Sequence, residues 1–241
     1  MNLEYKRICL EELDFLVKAR KKDDSELEKV IQKFVPEKLN VNLRKAFCKA
    51  FEIILKNGSG IIKSTLYDKE QKTTDDALFK SKIAGLFDKA LTFAEGAGFG
   101  IIGLGLPDIP VFTSMVIRNI YQKAAFYGFD YQSETEQIYI LKLIAGASAR
   151  GKDVEKMSME VDKLADNIDN NGFVYFGIPH EFISEASDAI ADDMIYMKFV
   201  QGIPFVGAIG GLYNAATINK IDKYAEFKYH KRRLIKDGLI D

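Results

Sequence analysis

A chain of 241 residues with 47% hydrophobic residues is long enough to bury a core of ordinary size. Its formal net charge of −1 excludes the generally basic surface that salt-dependent binding to nucleic-acid phosphates requires. The composition therefore predicts a globular domain with no nucleic-acid partner.

The chemistry of the N-terminal part favours a cytoplasmic protein. The two cysteines, Cys9 and Cys48, follow neither a disulfide framework nor a metal-ligand spacing, which is typical of reduced thiols in a cytoplasmic protein. The first residues mix charged and apolar side chains and lack the uninterrupted apolar core of a signal peptide. We therefore expect a cytoplasmic location.

Apolar residues recur with the helical period along nearly the whole chain, beginning near Ser25. Ser25 and Glu28 have capping-box spacing, and Pro36 marks the end of that helix. A longer helix follows from about Leu39 to the Asn57-Gly58 signal. Later helices are predicted over about 74–94, 110–128, 133–151, 157–168, 180–197 and 205–235, with a second capping box at Ser133 and Glu136. Residues 173–176, "FVYF", are the single candidate strand.

No linker rich in Pro, Ser or Gly divides the chain, and no repeat of fixed period is visible. The sequence therefore predicts one all-α, multi-helix, bundle-like domain over residues 1–241. Two glycine-rich apolar segments are its unusual feature.

The first glycine-rich segment, "GAGFGIIGLGLPDIP", has G-x-G-x-x-G spacing at Gly98, Gly100 and Gly103. A dinucleotide loop of this spacing follows a strand and opens a helix that points at the pyrophosphate. Here an amphipathic helix precedes the glycines, and "LPDIP" interrupts any helix after them. The segment therefore predicts no nucleotide cofactor.

Both segments are nearly free of charge, since Asp108 is the single charged residue in 99–117 and Phe199–Asn219 has none. Three interpretations stay open for them: buried central helices, reversible membrane contact and true insertion. The candidate membrane or partner contacts in them are Phe99, Ile101, Ile102, Leu104, Phe205 and Ile209.

The basic run "KYHKRR", residues 228–233, has two interpretations. Cations are favoured at the negative end of a helix dipole, and they are also attracted by anionic lipid headgroups. In the second interpretation Lys231, Arg232 and Arg233 contact the membrane.

Chemical candidates are few. His180 and His230 are the only histidines, and neither has a metal-ligand spacing, so the sequence predicts neither a metal nor a cofactor. One helix face carries four carboxylates, which we interpret as a solvated face: Glu181, Glu185, Asp188 and Asp192.

Asp108 is placed to cap the helix that begins near Pro110. The alternative hypothesis is a buried polar cluster of Asp108, Arg118, Asp130 and Asn214, in which buried charges would need partners. We favour a structural role for this cluster. A competing hypothesis is a hydrolase-like enzyme that uses Asp108 and Asp130.

Several motifs together resemble the EcsC family of bacterial proteins over nearly the whole chain: "EELDFL", "VPEKL", the glycine-rich lead into "LPDIP", "IRNIYQKAAFYGFD" and "QGIPFVGAIGGLYNAATINKIDKYAEFKYHKRRL". The resemblance implies a protein of the kind found beside an ABC-type transporter in some bacteria, and it implies no reaction. We therefore expect a non-enzymatic accessory protein at the inner membrane face, with a lipid surface or a membrane transporter complex as partner.

Overall fold

A computed structural model describes residues 3–22, 25–58, 109–200 and 210–239. Within these ranges it contains eight α-helices: α1 (Leu3–Arg20), α2 (Ser25–Phe34), α3 (Glu37–Ile53), α4 (Ile109–Phe126), α5 (Glu134–Ser148), α6 (Asp153–Asp169), α7 (His180–Val200) and α8 (Gly210–Lys236). A π-helical turn, Ile54–Gly58, extends α3. The described ranges hold no strand, which confirms the all-α prediction, and residues 173–176 form an irregular loop.

The centre of the fold is α5, because every residue from Thr135 to Ser148 is buried. α6, α7 and α8 pack around it, α3 packs on α4 and α7, and α1 lies on α8 and α6. A helix that is apolar on nearly all sides is stable only when other helices surround it. A central place is one of the interpretations open for Phe199–Asn219, and residues 201–209 of that segment lie outside the described ranges.

A glycine allows the close approach of two neighbours to the central helix. A Cβ atom added at Gly146 would lie 3.0 Å from both the Tyr224 hydroxyl oxygen and Val161 Cγ2. The missing side chain therefore lets α8 and α6 pack directly against α5.

The predicted cap of α5 is confirmed at Ser133, whose Oγ accepts a hydrogen bond from the Glu136 backbone N–H at 3.2 Å. The reciprocal half of the capping box is absent. The Ser133 backbone N–H donates to the Asp130 carbonyl instead, and the Glu136 carboxylate turns into the core to meet Arg232. A buried guanidinium offers the carboxylate a stronger, charge-assisted partner than a helix-end amide does.

We expect Ser133→Ala to lower the free energy of unfolding by about 1 kcal/mol, because the substitution leaves an N-terminal N–H of α5 without its acceptor. Urea unfolding of the purified chain measures this loss. Ser133→Asp keeps a short acceptor and serves as the control. An equal loss in both variants would contradict a capping role.

Candidate functional site

The predicted polar cluster is only partly within the described side chains. Asp130 is exposed in the turn between α4 and α5, where its Oδ1 accepts a hydrogen bond from the Gln132 backbone N–H at 3.1 Å. Arg118 is half-buried on α4. Asp108 and the side chain of Asn214 lie outside the described part of the chain. Asp130 thus stabilises a surface turn, and both the cluster and the enzyme that would use it stay predictions.

The six candidate contacts in the glycine-rich segments, Phe99, Ile101, Ile102, Leu104, Phe205 and Ile209, also lie outside the described residues. Their interpretation as membrane or partner contacts therefore stays a prediction.

Arg232 is buried, with 4% of its surface exposed. Its Nη1 donates to Glu136 at 2.7 Å, its Nη2 donates to Asp169 at 2.9 Å, and its guanidinium carbon lies 4.2 Å from the ring centre of Phe129. Burial alone would lower the pKa of Arg232, but the hydrogen bonds and charges of the two acids raise it. The interpretation of Arg232 as a lipid contact is wrong, because its charge is compensated inside the protein.

Lys228 and Lys231 also face the interior. Lys228 Nζ lies 2.7 Å from Asp162 Oδ1 and 2.8 Å from Ser158 Oγ, and it also contacts Glu12. Lys231 Nζ lies 2.7 Å from the second oxygen of Glu12. The interpretation of Lys231 as a membrane contact is therefore also wrong. Its ammonium pairs with Glu12 between α8 and α1 and is largely removed from solvent.

Of the three predicted basic contacts, Arg233 alone presents a substantially exposed side chain, and it pairs at 2.8 Å with Asp237 in the turn that follows α8. The run 228–233 was interpreted as one surface because its charges are consecutive in sequence. On a helix, however, consecutive residues point to different sides.

A cleft of about 190 Å³ lies between α6 and α8 beside these pairs, and Tyr5, Asp166 and Lys236 are among the residues that line it. Burial raises the pKa of Glu12, but Lys228 and Lys231 outweigh that effect and lower it overall. Opposite charges from α1, α6 and α8 thus compensate one another beside the cleft. This arrangement holds helices together and does not resemble an activated catalytic centre.

The acidic side chains of α7 join helices. Lys142 Nζ, on the central helix, lies 2.6 Å from Glu185 Oε1 of α7 and 2.6 Å from Glu160 Oε2 of α6. Arg44 of α3 binds Asp188 and Asp192, with 2.9 Å between Nη1 and Asp188 Oδ1. These three carboxylates of α7 stay partly exposed to solvent, as predicted, and they also bind basic side chains of the neighbouring helices.

A second candidate site lies where α3 meets the start of α7. Cys48 Sγ and His180 Nε2 are 3.5 Å apart, and Glu52 Oε1 lies 3.9 Å from the sulfur and 3.8 Å from the nitrogen. Among the described residues this is the group of Cys, His and acidic side chains close enough to share one metal ion. A surface pocket of about 430 Å³ opens beside it.

This arrangement does not activate Cys48 as a nucleophile. Burial, followed by the negative charges of Glu52 and Asp188, raises the pKa of the Cys48 thiol. Nucleophilic cysteines need a lowered pKa, since the thiolate is the reactive form. The raised pKa therefore argues against covalent catalysis by Cys48.

The outer face of α1 carries a row of exposed apolar side chains. Leu10 and Leu13 are 66% and 56% exposed, and Leu3 and Val17 continue the row at helical spacing. The inner face of the same helix packs on α8, where Phe15 lies 5.3 Å from the ring of Tyr224. α1 thus has two apolar faces, and only the inner one is used by the fold.

The charges beside the outer row are mostly basic. Lys6 lies within the row and Lys21 follows its end, and both are exposed. Asp14 borders the row and pairs with Lys18 at 2.6 Å, whereas Glu4 and Glu11 lie on a different side of the helix. We call the six residues Leu3, Lys6, Leu10, Leu13, Val17 and Lys21 the α1 outer face.

The α1 outer face was not predicted, although its six residues follow one another in the sequence at intervals of three or four. The inner face of α1 shows the same periodicity, and periodicity does not distinguish the stripe that the fold buries from the stripe that it leaves exposed.

The profile of the EcsC protein family matches residues 11–234 of the chain. Neither a curated protein nor a solved structure matches it. In the described part of the chain, every helix is too short or too polar to cross a bilayer.

Proposed function

The chain belongs to the EcsC family, and we propose that it is a non-enzymatic accessory protein that binds the inner face of the cytoplasmic membrane through the α1 outer face. The family resemblance adds an ABC-type transporter as the candidate neighbour at that membrane. The observation that supports this proposal best is the exposed row of apolar side chains, with Lys6 within it and Lys21 at its end, on a helix that is firmly attached to the fold.

The composition of the α1 outer face fits an interfacial helix. Such helices place an apolar stripe at the boundary of headgroups and acyl chains, while basic side chains approach anionic lipids. Full burial of one leucine is worth about 1.5–3 kcal/mol, and each lysine near an anionic surface adds about 1 kcal/mol. Leu10, Leu13, Lys6 and Lys21 together can therefore support reversible binding, even if the leucines are only partly buried.

Because α1 is attached to α8, membrane binding costs little conformational entropy. Phe15 and Ile8 pack against α8, and Glu12 bonds Lys231 across the same contact. The helix is therefore formed before it meets a membrane, and it does not lose freedom by folding there.

The charge pattern favours anionic lipid over a neutral surface. Lys6 lies between Leu3 and Leu10, and Lys21 lies at the far end of the α1 outer face, so both reach one flat surface when the row of leucines lies on it. Their attraction depends on the negative potential of the leaflet and weakens as salt screens it.

We expect Leu10→Glu/Leu13→Glu to lower binding to anionic vesicles at least tenfold, a loss of about 1.4 kcal/mol, because it removes apolar contact and adds repelling charge. Co-flotation with phosphatidylserine-containing vesicles measures the bound fraction. Met159→Glu is the matched control, since Met159 is 72% exposed on α6. Vesicle binding at the wild-type level by the double variant would contradict docking through the α1 outer face.

The same assay tests the role of charge. Lys6→Glu/Lys21→Glu is expected to reduce binding to anionic vesicles and to leave any weak binding to phosphatidylcholine vesicles unchanged. Lys152→Glu, at an exposed lysine before α6, is the control for a change in net charge. Equal losses in all lysine variants would show that net charge, and not the α1 outer face, governs binding.

A further inference from the structure

We propose that Cys48, Glu52 and His180 bind one zinc ion, a property that is independent of membrane binding by the α1 outer face. A thiolate, a carboxylate and an imidazole are the three side-chain ligands that zinc uses in proteins. Zinc is preferred over magnesium or calcium because the latter two select oxygen ligands. Oxygen from Glu52 is only one of the three donors here.

The helices bring these donors together. Cys48 and Glu52 are four residues apart on α3, so they project from the same side of the helix one turn apart. α7 packs along α3, and its first residue, His180, lies opposite this pair. Two ligands on one helix and a third at the start of its neighbour define the site.

The distances between the donor atoms are close to those around a tetrahedral ion, and two of the three are a few tenths of an ångström longer. With ordinary zinc–ligand bonds, the tetrahedral edges between S, N and O ligands are roughly 3.4–3.6 Å. The three observed separations are 3.5 Å for Cys48 and His180, 3.8 Å for His180 and Glu52, and 3.9 Å for Cys48 and Glu52. Small side-chain adjustments would therefore bring all three donors to one ion.

The surroundings support the same ligand set. Lys49 Nζ lies 3.3 Å from Glu52 Oε2, which orients the carboxylate so that Oε1 faces Cys48 and His180. Outer partners of this kind hold metal ligands in position. The adjoining pocket, lined also by Ser184 and Asp188, has room for a fourth ligand such as water.

A hydrogen bond between Cys48 and His180 alone does not explain the position of Glu52 beside them. Such a bond needs two atoms, whereas the carboxylate oxygen of Glu52 lies within 3.9 Å of both. The convergence of three different zinc-binding groups from two helices is what a three-ligand site requires. An ion there would connect α3 to α7 and keep one coordination position open.

The experiment uses the full-length chain after removal of metal with a chelator. Titration with Co²⁺ is expected to produce the thiolate-to-cobalt absorption band at one ion per chain, and Zn²⁺ is expected to abolish the band by displacement. Cys48→Ser is expected to lose the band. His180→Ala and Glu52→Gln are each expected to weaken Zn²⁺ binding by at least roughly tenfold.

Cys9→Ser is the matched control, because Cys9 is the other cysteine of the chain and lies on α1. It is expected to bind Co²⁺ like the wild type. Circular dichroism confirms that each variant is folded, and a Zn²⁺-dependent rise in the unfolding temperature gives a second readout. A folded wild-type chain that binds no stoichiometric Co²⁺ or Zn²⁺, or a full cobalt band in Cys48→Ser, would overturn the proposal.

Discussion

Arg232→Met is expected to lower the free energy of unfolding by about 3–5 kcal/mol, because it leaves the carboxylates of Glu136 and Asp169 in the interior without their positively charged partner. Glu136 is almost fully buried, and burial raises its pKa in spite of the charge of Arg232. Asp169 loses both of its hydrogen bonds from the guanidinium. Equilibrium unfolding in urea at pH 7 measures the loss.

The pH dependence of this loss identifies its cause. A carboxyl group whose pKa is raised in the folded state favours folding when it is protonated, and this contribution is lost as the pH rises through the folded pKa. Without Arg232, the pKa of Glu136 rises further. The cost of Arg232→Met should therefore shrink when the pH is lowered from 7 towards 5.

Arg233→Met is the matched control for this experiment. Its side chain is 43% exposed and pairs with Asp237 in the turn that follows α8, and exposed pairs of this kind contribute at most about 1 kcal/mol. Similar losses for Arg232→Met and Arg233→Met would contradict the assignment of Arg232 to the interior.

Lys228→Met is expected to cost about 3 kcal/mol, since Lys228 is buried between α8, α1 and α6. The loss is moderated because Glu12 keeps Lys231 as a partner and Asp162 is half-exposed. Lys223→Met, at an exposed lysine of the same helix, is the control and is expected to cost less than about 1 kcal/mol.

Lowering the pH is expected to reduce the difference in the free energy of unfolding between Lys228→Met and the wild type. Burial raises the pKa of Glu12, and the two lysines lower it below the ordinary value of 4.5. A lowered carboxyl pKa stabilises the fold above the unfolded value, and that stability is lost as the pH falls through the folded value. The two proteins should therefore approach each other in stability below about pH 4.5. A constant difference from pH 7 to pH 3 would contradict the ion-pair explanation.

The helices could be predicted from local patterns, because periodicity and caps act over a few residues. α3 and α7 lie close to their predicted ranges, and the cap at Ser133 is confirmed. The all-α class follows from the same local signals.

The interior charges and the candidate metal site could not be predicted from local patterns. Arg232 and Asp169 are 63 residues apart, and Cys48 and His180 are 132 residues apart. Only the packing of α8 on α6 and of α7 on α3 brings them together. A basic run near a helix end therefore indicated a surface, although two of its residues, Lys228 and Arg232, lie one turn apart on a buried side of α8.

Membrane docking by α1 is tested most directly with a single fluorescent reporter, because the chain contains no tryptophan. We would place one at Leu10→Trp, in the α1 outer face, and compare it with Met159→Trp on α6. Addition of anionic vesicles that carry brominated lipid should shift the emission of the first reporter to the blue and quench it, and should leave the second unchanged. An unchanged Leu10→Trp spectrum, or equal quenching of both reporters, would contradict docking through the α1 outer face.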